Sequence, residues 1–174
     1  MKTIILPGYS LHNKEWAEDV AKELTAKGIR STVHYWRHWP STSSGSSSGN
    51  FSLKYELEKI LEEVGIDKIN IVAKSVGTMV AMKLLTIVKS QITKVILCGV
   101  PSTSDVRKRI FLESLKDFSS GNIICFQNTN DPFASYEEVK YFFKGINSKV
   151  KVVEKPRSDH SYPYFEDFRI FLTG

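Results

Sequence analysis

Ile71-Val72-Ala73-Lys74-Ser75-Val76-Gly77-Thr78 joins two kinds of periodicity. Before it, Lys68-Ile69-Asn70-Ile71-Val72 is a short β-branched run, which predicts a strand. After it, Met79 to Val88 is apolar apart from Lys83 and Thr86, which predicts a helix buried on most sides against a sheet. Between them Ser75 has small residues at −2 and +2, Ala73 and Gly77. A sharp strand-to-helix turn strains the backbone of its central residue and brings neighbouring chain close, so the positions two away must be small. Two roles fit such a serine. Its hydroxyl projects above the sheet as a nucleophile, where the helix N-terminus favours developing negative charge, or it merely caps the helix.

The same alternation extends in both directions. Ile4-Ile5-Leu6 reads as a first strand, stopped by Pro7-Gly8. Trp16, Val20 and Leu24, with Ala17 and Ala21 beside them, give an amphipathic helix that ends near Gly28. Ser31 to Tyr35 follows as a second strand, and the Ser/Gly-rich residues 41–50 as a polar loop. Leu53, Leu57, Ile60, Leu61 and Val64 share a helical stripe that stops at Gly65. Strands near 94–98 and 122–126 bracket a helical segment carrying Val106, Ile110, Phe111, Leu115 and Phe118. A helix around Tyr136–Phe143, a strand at Val150–Val153 and a helix from Tyr164 to Leu172 complete the pattern. Parallel strands need crossovers, so the fold class is α/β: three layers, α/β/α, around a mostly parallel sheet of about six strands. The length fits one domain, residues 1–174.

In open parallel sheets ligands bind beyond the carboxyl ends of the strands. Reactive residues just after a strand therefore carry most weight. Gln127-Asn128-Thr129-Asn130-Asp131-Pro132 follows the strand near 122–126, and Pro132 biases Asp131 to an extended conformation. Asp131 reads as a catalytic acid or as an Asx-turn residue before the next helix. Arg157-Ser158-Asp159-His160-Ser161-Tyr162-Pro163 lies in the last strand–helix connection, where His160 is placed to reach across to Ser75. The order Ser75, Asp131, His160 is that of a nucleophile elbow completed by acid and base from later strands. A serine hydroxyl is a poor nucleophile until a base takes its proton, and the acid holds the imidazole in the required tautomer. Asp159 adjoins His160, but neighbours in an extended loop point apart.

On these residues the chain resembles the α/β-hydrolase superfamily along essentially its whole length. It looks most similar to compact, nearly lidless members such as the small retinoblastoma-binding serine hydrolases and short bacterial esterases. Ile4-Ile5-Leu6-Pro7-Gly8-Tyr9 is similar to the family's first retained strand and oxyanion loop. The resemblance implies an oxyanion hole made by the backbone N–H groups of Val76 and Tyr9, with Ser10 as the alternative second donor, because Pro7-Gly8 stands where His-Gly is common. Ala73 replaces the elbow's usual first glycine and keeps it small. Some members carry the acid one strand earlier, which makes Asp105 the alternative to Asp131. Large caps in the family precede the acid strand, and here Gly99 to Gly121 has room for one short helix. The implied reaction is hydrolysis of a carboxylic ester or related small acyl compound through an acyl-enzyme on Ser75. It needs neither metal nor cofactor, and short acyl chains are preferred.

Bulk properties agree with a small-molecule enzyme. Hydrophobic residues at 41% and charged residues at 25% are ordinary for a globular chain, which excludes extensive disorder. The net charge of +5 is spread out, its densest run being Arg107-Lys108-Arg109, which argues against a nucleic-acid partner. No stretch approaches the ~18 apolar residues needed to span a bilayer, and the N-terminal run is too short for a signal peptide. Asn50-Phe51-Ser52 is then a coincidental sequon. Cys98 and Cys125, each inside an apolar run, read as buried thiols in a reducing, cytoplasmic setting, although contact across adjacent strands stays open. No glycine-rich nucleotide loop is present, which argues against NAD and ATP. His34 and His38 are spaced i, i+4 but leave a strand and have no acid between them, so they make a weak metal pair. Tyr9, Trp36 and Trp39 are expected at the rim of the cleft, and His12, His34 and His38 are expected to be dispensable. The alternative function is a non-catalytic interaction module that kept the scaffold. The coexistence of Ser75, Asp131 and His160 weighs against it.

Overall fold

β-Branched and apolar runs form a six-stranded sheet among the residues described by the computed structural model, 1–40 and 50–174. The strands are β1 (Lys2–Leu6), β2 (Ser31–Val33), β3 (Ile69–Lys74), β4 (Ile92–Cys98), β5 (Ile123–Asn128) and β6 (Lys151–Lys155), in the order β2-β1-β3-β4-β5-β6. Every neighbouring pair is parallel. The crossovers are α1 (Asn13–Ala26), α2 (Leu53–Val64), α3 (Val76–Val88), α4 (Asp105–Leu115) and α5 (Tyr136–Lys144), and α6 (Phe165–Thr173) follows β6. The expected α/β fold is the observed one. The polar loop expected at 41–50 lies outside the described residues except for Asn50.

Side chains alternate across a strand, so the sheet has two apolar faces. Ile4, Leu6, Ile71, Ala73, Leu97 and Cys125 belong to one core cluster. Ile5, Val72, Ile96, Cys98 and Phe126 belong to the other, with Trp16, Val20 and Leu24 of α1 and Phe168 of α6. Cys98 and Cys125 sit on adjacent strands but on opposite faces, and both are free thiols. Helix α3 buries Val80, Met82, Leu84 and Leu85 completely, each worth roughly 1.5–3 kcal/mol. That accounts for its nearly unbroken apolar run.

Strand order reverses between β1 and β3, since β2 lies on one side of β1 and all later strands lie on the other. A crevice opens at such a switch point, at the carboxyl ends of the strands. Leu6 and Lys74, the last residues of β1 and β3, therefore deliver Pro7–Ser10 and Ser75 to one place. β2 stops two residues before Tyr35, because its last ladder bond, His34 N–H to Ile5 O at 3.0 Å, is followed by the burial of Trp36.

Candidate active site

Ser75 occupies the turn between β3 and α3 with φ 54° and ψ −117°. Among the described residues only Asp117 shares a positive φ outside glycine. Such a conformation costs of order 1–3 kcal/mol for a side-chain-bearing residue, and clusters at functional sites. Neighbouring chain holds it: Ser75 N–H donates to Cys98 O at 3.0 Å, while Ser75 O accepts from Thr78 N–H at 3.0 Å and Thr78 Oγ1 at 2.6 Å. The Ser75 side chain makes no capping hydrogen bond, so the helix-cap role is not the one it fills. The small residue at +2 has a measurable reason. A Cβ on Gly77 would lie 2.2 Å from Leu6 O and 2.8 Å from Pro7 O, on the backbone where β1 ends and its following loop begins.

His160 and Asp131 meet in the loops after β6 and β5. His160 Nδ1 lies 2.6 Å from Asp131 Oδ2, and a carboxylate acceptor there puts the proton on Nδ1. Nε2 is buried and has no partner among the described residues. Asp131 keeps the Asx turn that the sequence suggested, with Oδ1 accepting from Phe133 N–H at 2.9 Å, and spends its other oxygen on His160. A third donor was not foreseen: the Tyr162 hydroxyl lies 2.6 Å from Asp131 Oδ2. Burial by itself would raise the Asp131 carboxyl, but the His160 ring, the Tyr162 hydroxyl and the Phe133 N–H together hold it below the usual carboxylate range. Burial pushes the Tyr162 phenol upward, which keeps it a donor. Asn128 pins the histidine loop by donating to Asp159 O at 2.7 Å and Ser161 O at 2.9 Å. Asp159 is tied to Arg157 and Ser161 N–H, and Asp105 is exposed in the first turn of α4.

The loop after β1, Pro7–Ser10, is fixed by its carbonyls. Gly8 O accepts from Trp36 Nε1 at 3.0 Å, and Tyr9 O from Trp39 Nε1 and His38 Nε2, both at 2.8 Å. Ser10 O accepts from Asn13 N–H at 2.9 Å and Asn13 Nδ2 at 3.1 Å. With the carbonyls so committed, the N–H groups of Tyr9 and Ser10 donate to nothing among the described residues. Trp36 and Trp39 are therefore not rim residues. At 2% and 6% exposure they are core, their indoles anchoring the loop from behind. His34 is not a free surface histidine either, since its Nε2 meets buried Glu56 at 2.8 Å and Glu56 also accepts from Arg37 N–H. His38 holds Tyr9 O and stacks on the Tyr9 ring, so both His34 and His38 have structural partners.

Comparison with known proteins agrees with this architecture. The family model for the alpha/beta hydrolase fold matches residues 4–165. The chain belongs to the α/β-hydrolase family. Among solved structures this α/β-hydrolase resembles Est1E of Butyrivibrio proteoclasticus with bound ferulic acid (TM-score 0.68, 15% identity, 98% of this chain and 87% of that one). It also resembles a Xanthomonas campestris a/b serine hydrolase without lid (0.65, 18%, 99% and 78%) and an alpha-beta serine hydrolase homologue from Coxiella burnetii (0.66, 19%, 99% and 81%). No curated protein matches its sequence.

In this hydrolase Ser75 and His160 line one open cleft of about 480 Å³ with Tyr9, Ser10, His12, Asn13, Lys74 and Phe133. Tyr9, expected at the rim, is there at 55% exposure, and Phe133 at 63% stands where the tryptophans were expected. Phe133 also stands edge-on to the His160 ring, centroids 4.7 Å apart. Lys74 is a second feature the sequence reading passed over, although a lysine closing an otherwise uncharged buried strand was a visible signal. No group of three or more His, Cys, Asp or Glu suited to a metal occurs among the described residues. No helix among them is long and apolar enough to cross a membrane.

Proposed function

We propose that this α/β-hydrolase is a serine hydrolase that cleaves carboxylic esters of small acyl groups through an acyl-enzyme on Ser75. The observation that carries the reading is the placement of His160, which shares a cleft with Ser75, commits Nδ1 to Asp131 and leaves Nε2 unpaired. Nε2 takes the Ser75 proton as Oγ attacks the ester carbonyl, and Asp131 stabilises the imidazolium without becoming protonated. The N–H groups of Val76 and of Tyr9 receive the tetrahedral oxyanion, the positive end of α3 adding to the first of them. His160 then protonates the leaving alcohol, and water enters by the reverse route to free Ser75. The backbone strain at Ser75 fits this use, since its hydroxyl makes no capping bond to the helix. The buried free thiols Cys98 and Cys125 fit a reducing compartment, and we place the enzyme in the cytoplasm.

The test is chemical. A fluorophosphonate probe labels the protein once, at Ser75, and Ser75→Ala abolishes both labelling and ester turnover, the latter by about 10⁴-fold or more. Undiminished labelling of the alanine variant would remove Ser75 from the mechanism.

A further inference from the structure

Lys74 is a buried cation next to Ser75 with no anion of its own among the described residues. It ends β3, so alternation turns it to the α1 side of the sheet, with Val72. There its ammonium donates to Asn13 Oδ1 at 2.7 Å and lies 5.4 Å from the centre of the Trp16 ring. It is 7% exposed, yet it lines the cleft with Ser75 and His160. Among the described residues no carboxylate lies within ion-pair distance of it. The acids whose charges reach it are engaged elsewhere, Asp131 with His160 and Tyr162, and Asp159 with Arg157. Burial pushes the Lys74 ammonium down from its ordinary value, with those acids opposing the shift.

An ammonium has three donors, and Asn13 takes one. Holding Asn13 does not require a charge, because a neutral donor of similar reach serves the amide oxygen equally well. Burying a cation where a neutral donor suffices is costly unless something anionic completes its shell. The cleft, which Lys74 and Asn13 both line, has room for such a group.

We propose that the substrate of this hydrolase carries a carboxylate, bound by Lys74 while Ser75 attacks an ester elsewhere in the same molecule. The proposal rests on the serine-hydrolase reading above and narrows it to anionic esters. A cleft of about 480 Å³ holds a small half-ester of a dicarboxylic acid or a small carboxylated alcohol ester. Lysine suits a single point charge, as opposed to the two-pronged grip of arginine.

Two matched substrate pairs place the carboxylate. On the acyl side, mono-4-nitrophenyl adipate is compared with its neutral methyl ester. On the alcohol side, 4-acetoxybenzoate is compared with methyl 4-acetoxybenzoate. In at least one pair the anion is preferred in kcat/KM by about tenfold or more, chiefly through KM, the worth of one charge-assisted hydrogen bond. The preference shrinks in high salt. Lys74→Met and Lys74→Gln abolish it, and Lys74→Arg retains it. The readout is the ratio within a pair, which divides out any general loss from disturbing Asn13. Absence of preference in both pairs, with neutral esters turned over and Ser75 labelled, overturns the proposal and leaves the serine-hydrolase reading standing. Full preference in Lys74→Gln also overturns it, reducing Lys74 to a support for Asn13. Absence of labelling and of all ester turnover overturns both.

Discussion

Tyr162→Phe removes one oxygen from a fully buried site and nothing else. The ring stays packed edge-on to His160 and Tyr164, with centroids 5.7 Å and 6.0 Å away. The lost hydroxyl lies 2.6 Å from Asp131 Oδ2 and also accepts from Asn128 N–H at 3.2 Å. The substitution thus deletes one hydrogen bond to a buried carboxylate and leaves one buried amide without an acceptor. A bond to a charged group is worth about 1.5–3 kcal/mol and an orphaned donor costs about 1–3 kcal/mol. Allowing for partial relaxation, the expected destabilisation is about 2–4 kcal/mol, or roughly 5–15 °C in Tm for a chain of this size. Catalysis suffers less. Asp131 still accepts from Phe133 N–H and still faces His160 Nδ1, so turnover falls by about tenfold, far short of losing the acid. Urea unfolding monitored by tryptophan fluorescence gives the stability, and 4-nitrophenyl acetate hydrolysis at neutral pH gives the activity. A variant within about 0.5 kcal/mol of the parent would refute the reasoning, because it would mean that the hydroxyl supports neither partner.

Other outcomes follow from the same contacts. Asp131→Asn lowers ester turnover by about 10³-fold or more, while exposed Asp105→Asn stays close to the parent; if the Asp105 variant were inactive instead, the acid would have to be moved to the end of β4. Because the Asp131 carboxyl is held below its ordinary range in the folded protein, its stabilisation is full above about pH 4 and fades as pH falls through the lower folded value. The stability gap between the parent and Asp131→Asn therefore narrows as pH falls below about 4, and a gap that stays constant in urea titrations on acidification contradicts the assigned bonds. In a series of 4-nitrophenyl esters kept below their micelle limits, kcat/KM is higher for acetate and butyrate than for palmitate, since among the described residues the open cleft offers Tyr9 and Phe133 as apolar contacts but no tunnel wall; a steady rise to sixteen carbons would show a lipid site.

The sequence alone determined the fold and the order of the reactive loops. Strand and helix periods are local, so β3, Ser75 and α3 could be read from Ile71 to Val88, and the close packing of Gly77 on Leu6 O confirms why small residues were needed there. Parallel strands must then be wound through helices, which sends Ser75, Asp131 and His160 to the same end of the sheet. Tertiary structure decided what touches what. That His160 meets Asp131, not Asp105 or Asp159, depends on the course of two loops distant in sequence. Trp36, Trp39 and His38 read as surface aromatics because their local pattern is irregular, and only the turn after β2 shows that they carry the carbonyls of Gly8 and Tyr9. Tyr162 and Lys74 were passed over for the same reason: a side chain's partners across the strand ends leave no periodic trace, because hydrogen bonds between loops depend on position in space and periodicity records only position along the chain.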